Sequence, residues 1–170
     1  MSTNMKKITH DDLIESATRW LRKDHCVVIT EMLGGWGNTE KPDAIGWLGG
    51  GITTLIECKI SRSDFLVDRK KPSRIGIGMG TYRYYLVPEG VAYGFELPPG
   101  WGLLEYKNKR NHPKKVKFAL QQQLQNWPGE MAVLCSALRR IGGLRKEGIS
   151  VKIYQWDTKN TATLGVKRVA

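Results

Sequence analysis

Two runs rich in β-branched and aromatic residues, Pro42-Asp-Ala-Ile-Gly-Trp-Leu48 and Ile52-Thr-Thr-Leu-Ile-Glu-Cys-Lys-Ile60, meet at three consecutive glycines, Gly49-Gly50-Gly51. Glycine tolerates the positive φ that a tight reversal needs, so the stretch reads as a β-hairpin. A hairpin with so apolar a second strand needs a sheet and helices around it. Side chains alternate along a strand, which puts Leu55, Glu57 and Lys59 on one face. Ile56, Cys58 and Ile60 take the other, and that apolar set is expected in the core. Pairing across the hairpin brings Asp43 toward Glu57 or Lys59.

The flanking chain supplies the partners. Leu13, Ile14, Ala17, Trp20 and Leu21 recur at helical spacing, behind Thr9 or His10 and the acids Asp11 and Asp12. This predicts a helix over 10–23. Cys26-Val-Val-Ile-Thr-Glu-Met32 predicts a short strand. Ser61-x-x-Asp64 resembles a capping box and opens a helix to about Lys71, which Pro72 ends. The glycines between Gly76 and Gly80 predict a flexible loop. Thr81–Val87 and Gly102–Tyr106 predict strands. Lys107–Lys117 reads as basic and polar, Phe118–Gln125 and Gly129–Ile141 as helices, and Ser150–Trp156 as an edge strand. Strands and helices alternate, so the fold class is α/β, a single mixed sheet flanked by helices. With 170 residues the chain is about one domain, placed over 1–157 with 158–170 as a frayed tail.

Charge narrows the partners. Lys and Arg total 27 against 16 Asp and Glu, a net charge of +11. That excess favours a polyanion, nucleic acid first. One cluster is Arg62, Arg69, Lys70, Lys71 and Arg74. A second is Lys107, Lys109, Arg110, Lys114, Lys115 and Lys117, and Arg83 sits in a tyrosine-rich strand. Each is a candidate phosphate contact, with a solvated charged face as the competing reading. The longest apolar stretch, Met131–Leu138, falls far short of the ~20 residues of a membrane span. The first residues lack the apolar run of a secretion signal. Cys26, Cys58 and Cys135 are odd in number and form no C-x-x-C, so they are expected as buried small hydrophobes in a reduced, cytoplasmic protein. The scattered His10, His25 and His112 argue against a histidine metal site.

Two carboxylates and a backbone carbonyl make a hard oxygen site suited to Mg²⁺ or Mn²⁺. Lys59 beside them can orient or deprotonate a water and stabilise developing negative charge. The competing reading of Glu57 and Lys59 is a weak ion pair on an exposed strand; Pro42-Asp43 upstream tips the balance toward the metal site.

Asp43 after Pro42, then Glu57-Cys58-Lys59, with 13 residues between Asp43 and Glu57, resembles the PD-(D/E)xK nuclease superfamily. The run Tyr82-Arg-Tyr-Tyr-Leu-Val-Pro-Glu-Gly90 with Pro98-Pro-Gly-Trp-Gly-Leu-Leu-Glu105 looks like small bacterial and phage members, some DNA-repair-like. The resemblance covers roughly the first two-thirds of the chain. It implies a restriction-endonuclease-like core, α-β-β-β-α-β, and a bacterial cell, with a phage gene as one origin. It implies metal ligation by Asp43, Glu57 and the carbonyl of Cys58, and a water-serving Lys59. Glu31 is a further acid by the same resemblance. Glu15, on the helix face away from the apolar stripe, ranks below it. The implied activity is Mg²⁺-dependent hydrolysis of DNA, endonucleolytic, leaving a 5′-phosphate. Many such enzymes pair as homodimers, though nothing in the sequence marks an interface. The rivals are a catalytically silent DNA-binding or accessory protein on the same fold, and a structure-selective junction resolvase.

Overall fold

The computed structural model describes residues 7–32, 40–107 and 112–141. The expected edge strand at Ser150–Trp156 and the tail lie outside them. Helix α1 (His10–Leu21) opens at Thr9, whose hydroxyl accepts from Asp12 N while Thr9 N donates to the Asp12 carboxylate. Strand β1 (Val27–Thr30), strand β2 (Ala44–Leu48) and strand β3 (Ile52–Cys58) then form an antiparallel meander. The glycine reversal is a single 3₁₀ turn, Gly49–Gly51, with Gly50 and Gly51 at φ 76° and 78°. Helices α2 (Arg62–Asp68) and α3 (Pro72–Ile75) carry the chain to β4 (Tyr82–Pro88), parallel to β3. Strand β5 (Gly102–Tyr106) lies parallel to β4, β6 (Lys114–Lys117) antiparallel to β5, and α4 (Trp127–Ile141) follows.

The result is one mixed six-stranded sheet in the order β1-β2-β3-β4-β5-β6, with helices on both faces. Leu13, Ala17 and Leu21 of α1 pack against Val28, Ala44, Ile56, Cys58, Tyr84 and Leu86. Phe65 of α2 and Val133 and Ala137 of α4 cover the opposite face over Ile29, Ile45, Leu55, Tyr85 and Leu103. β3 is therefore buried on both sides, and both of its side-chain sets are core rather than the one expected from alternation. No helix of the described residues is long and apolar enough to cross a membrane.

Several local expectations are corrected. Pro72 does not simply stop a helix. It takes the first position of α3, where its missing N–H costs nothing. The Gly76–Gly80 loop is pinned: Arg83 donates to the carbonyls of Ser73, Gly76, Gly78 and Gly80, Glu40 accepts from Met79 N, and Glu130 accepts from Gly80 N. Residues 118–125 form no helix, because tertiary carbonyls capture their N–H groups: Leu120 N donates to Gly100 O and Gln122 N to Thr81 O. Within the basic stretch, Lys114–Lys117 adds a sixth strand. Among the cysteines only Cys58 is buried; Cys26 and Cys135 are exposed.

Candidate active site

The hairpin register sets the site. Ala44 pairs with Ile56 and Ile45 with Leu55, so one step further along places Asp43 across from Glu57. Both point to the face covered by α2, as Ile45 and Leu55 do. Lys59 follows on the same side just past the end of β3. Its ammonium lies 3.2 Å from Asp43 Oδ2 and 3.1 Å from Glu57 Oε2. Asp43 Oδ2 also accepts the N–H of Cys58 at 2.8 Å. The three residues expected together from the motif are thus together. They are not a surface ion pair, since the Glu57 side chain is 2% exposed and that of Lys59 14%.

Asp68, Arg74, Glu40 and His10 join the cluster, with Lys71 and Tyr85 on Asp68, and the sequence pattern does not single them out in this role. Asp68 of α2 lies 3.8 Å from Lys59 Nζ and 2.6 Å from Lys71 Nζ, and accepts from Tyr85 OH at 2.8 Å. Arg74 of α3 reaches Glu57 Oε2, Asp68 Oδ2 and Glu40 Oε1 at 2.9, 2.9 and 3.0 Å. His10, in the first turn of α1, places Nε2 3.6 Å from Asp43 Oδ1. One signal for Asp68 was available: it follows the core residue Phe65 by three positions, the spacing that shares a helix face. The inward approach of Glu40 and His10 depends on tertiary placement and left no such mark.

These contacts set the protonation states. Burial, and then the charge of Asp43, push the Glu57 carboxyl up to about 8, against the pull of Arg74 and Lys59. Burial would also raise Asp43, but His10, Lys59 and the Cys58 N–H outweigh it and hold that carboxyl below its ordinary value. Burial works against the Lys59 ammonium, yet Glu57, Asp43 and Asp68 leave it raised. Lys59 therefore keeps its proton at neutral pH and acts as a donor and a charge, not as a base. The Asp43 carboxylate, 3.6 Å away, raises His10.

An open cleft of about 450 Å³ leads to this cluster. His10, Lys59, Ser63, Asp68 and Lys71 line it, with Ile60 and Val67 as its apolar wall.

Glu31 sits at the end of β1 in the left-handed region, φ 53°, and its N–H donates to Asp43 O. It is exposed beside the site, with its charge felt by His10. Glu15 is exposed and paired with Arg19 at 2.7 Å, apart from the cluster.

The basic clusters divide. Arg74 and Arg83 are buried, 4% and 1% exposed, and satisfied internally, so neither offers its guanidinium to a surface ligand. Arg62 pairs with Glu96, Arg69 donates to the carbonyl of Glu96, and Lys107 pairs with Glu89. Lys70 is exposed, and Lys71 lies at the cleft. Lys114, Lys115 and Lys117 are exposed along β6, with Lys115 Nζ over the rings of Phe118, Trp20 and Tyr84 at 4.7, 5.3 and 5.9 Å. Lys109 and Arg110 lie outside the described residues.

Two observations bear on a divalent ion. Glu57 Oε1 is buried and has no hydrogen-bond partner among the described residues, an orphaned oxygen that a cation would satisfy. Two carboxylates with a nearby backbone carbonyl are also the hard donors that Mg²⁺ or Mn²⁺ prefers. Against this, among the described residues no three His, Cys, Asp or Glu side chains form a ready ligand group. Lys59 and Arg74 stand between the acids.

No family model matches the chain, and no curated protein does. A solved protein of unknown function from Silicibacter pomeroyi is similar at 24% identity, over 87% of this chain and 98% of its own, with a TM-score of 0.58. At that identity the likeness speaks for the fold.

Proposed function

We propose that the chain is a metal-dependent DNA nuclease on a restriction-endonuclease-like core. The observation that carries the reading is the convergence of Asp43, Glu57 and Lys59 from two adjacent strands, with Lys59 also lining the cleft. Asp43 and Glu57, with the Cys58 carbonyl, are the residues that would hold Mg²⁺ or Mn²⁺. When bound, such an ion acidifies a water and neutralises a phosphate oxygen. Lys59, held protonated, donates hydrogen bonds to the attacking water or a phosphate oxygen and stabilises the charge that builds there. In-line attack of the water oxygen on phosphorus forms the new P–O bond as the bond to the 3′ oxygen breaks; the water's proton passes to solvent and the 3′ oxygen takes one up, leaving a 5′-phosphate and a 3′-hydroxyl. The net charge of +11 and the exposed lysines of β6 favour a polyanionic substrate.

One observation favours a second reading, a DNA-binding protein that does not cut. Lys59 already bridges Asp43 and Glu57, so both acids have a cationic partner without a metal. Supercoiled plasmid incubated with Mg²⁺ or Mn²⁺ separates the two. The nuclease nicks it as wild type, and not with EDTA or as Asp43→Ala, Glu57→Ala or Lys59→Ala. Metal-independent binding without any nicked product supports the silent protein instead.

A further inference from the structure

Phe95 is the most exposed large apolar side chain among the described residues, at 87%, yet the turn that carries it is held from several sides. That turn is a short 3₁₀ segment, Gly94–Glu96, between β4 and β5. The Glu96 carboxylate accepts from both terminal nitrogens of Arg62 and from Tyr93 N at 3.1 Å. Arg62 Nη1 also donates to Val91 O at 3.2 Å, and Arg69 Nη1 to Glu96 O at 2.7 Å. From β6, Lys117 Nζ donates to Gly94 O at 2.9 Å. The Tyr93 ring, itself exposed, lies nearly parallel to that of Phe95, with centroids 5.8 Å apart and planes 6° apart. Arg62 Cζ stands 5.6 Å from the Tyr93 centroid. Ordering a loop costs conformational entropy, and aromatic rings ordinarily repay it by burial. Here the order displays two rings to solvent.

Charge complementarity selects what covers them. Arg62, Arg69 and Lys117 surround the turn against the single carboxylate of Glu96, so the patch favours an anion. Exposed rings interleaved with cations match a nucleic-acid strand, whose bases stack on the rings while its phosphates meet the positive charge. Within a duplex each base face is already covered by its neighbour, so only an unpaired base can take this place. Arg62 directly precedes Ser63, which lines the cleft, so the turn flanks the cleft along the first turn of α2. We propose that Tyr93 and Phe95 form a stacking platform for an unpaired nucleobase, and that the DNA strand handled here is single-stranded or frayed. The inference rests on the DNA reading above and names the form of that substrate.

Fluorescence anisotropy in EDTA tests it without any cleavage, using a labelled oligothymidylate of about 15 nucleotides, an abasic strand of the same length and a duplex of the same length. Phe95→Ala, at so exposed a position, is expected to unfold in urea as wild type does. It is expected to bind the oligothymidylate about 5- to 150-fold more weakly, the range for losing one stacked base. The abasic strand and the duplex are expected to bind variant and wild type within about twofold of each other, and Phe95→Trp to restore the oligothymidylate affinity. Oligothymidylate binding by Phe95→Ala within about twofold of wild type overturns the platform, as does an equal loss on the abasic strand. Loss of binding to phosphatidylserine vesicles in Phe95→Ala, with oligothymidylate affinity unchanged, overturns it in favour of a membrane surface. The stacking effect in a protein that never nicks plasmid upholds the platform and removes only the nuclease reading. Nicking by a protein without the stacking effect does the reverse.

Discussion

The carboxylate of Asp43 accepts a 2.8 Å hydrogen bond from the backbone N–H of Cys58. The contact ties the entry to β2 onto the end of β3 and fixes Asp43 where Lys59 can reach it. Asp43→Ala strands that N–H in a largely buried place, at a cost of about 1–3 kcal/mol. Asp43→Asn offers an amide oxygen in its place and is expected to recover most of that stability while losing divalent-ion binding. Chemical denaturation and metal titration of the two variants check both halves.

Glu57 gives the site a pH dependence with two opposite signs. Its ionised form binds a cation, so Mn²⁺ affinity is expected to rise with pH up to about 8 and level off above. Stability moves the other way. Between the ordinary value of 4.5 and about 8 the folded state keeps a proton that the unfolded chain has lost. Stability therefore falls as pH rises through that window. Glu57→Gln removes this contribution, so the variant and wild type should diverge in pH slope when denatured at about pH 5 and about pH 8.

Asp68 accepts from Arg74, Lys71 and Tyr85. Asp68→Asn keeps the shape but removes the charge that faces Arg74. The expected loss is about 3–5 kcal/mol, the range for breaking one side of a buried pair. Urea titration measures it. A change below about 1 kcal/mol, the scale of an exposed pair, would contradict the buried network.

Gly102 tests the packing of β5 against β4. An added Cβ would lie 2.3 Å from the Tyr84 ring and 2.7 Å from Ala119 N. One of those neighbours is backbone, so the strain cannot be relieved by a rotamer change alone. Gly102→Ala is expected to destabilise by about 1–3 kcal/mol, read as a lower melting temperature.

The β6 lysines test the DNA surface. Replacing Lys114 and Lys117 with Gln is expected to lower the slope of log affinity against log salt by on the order of 1 for each phosphate that is no longer neutralised. An unchanged slope would move the interface elsewhere.

The hairpin and its three chemical residues were legible because alternation and a glycine turn are local signals. Ser61 capping α2 and Thr9 capping α1 were legible for the same reason. What escaped depends on contacts distant in sequence. Arg74 looks like any surface arginine in a basic run, and Arg83 like a phosphate-contacting arginine in a tyrosine-rich strand. Their burial follows from three carboxylates and a ring of loop carbonyls that only the fold assembles. The 118–125 segment carries a helix-compatible composition, yet Gly100 O and Thr81 O capture N–H groups that a helix would need. Strand β6 is three lysines and one valine, all exposed, so no apolar alternation announces it.

Glu57→Gln offers the most direct test, because it keeps the side chain's shape and removes its capacity to ionise. Plasmid nicking in Mg²⁺ or Mn²⁺ should be present in wild type and fall at least about a hundredfold in the variant, a transition-state loss of about 2.7 kcal/mol. Equal nicking by both proteins, or none by wild type with either ion, would contradict a catalytic site built on Asp43, Glu57 and Lys59.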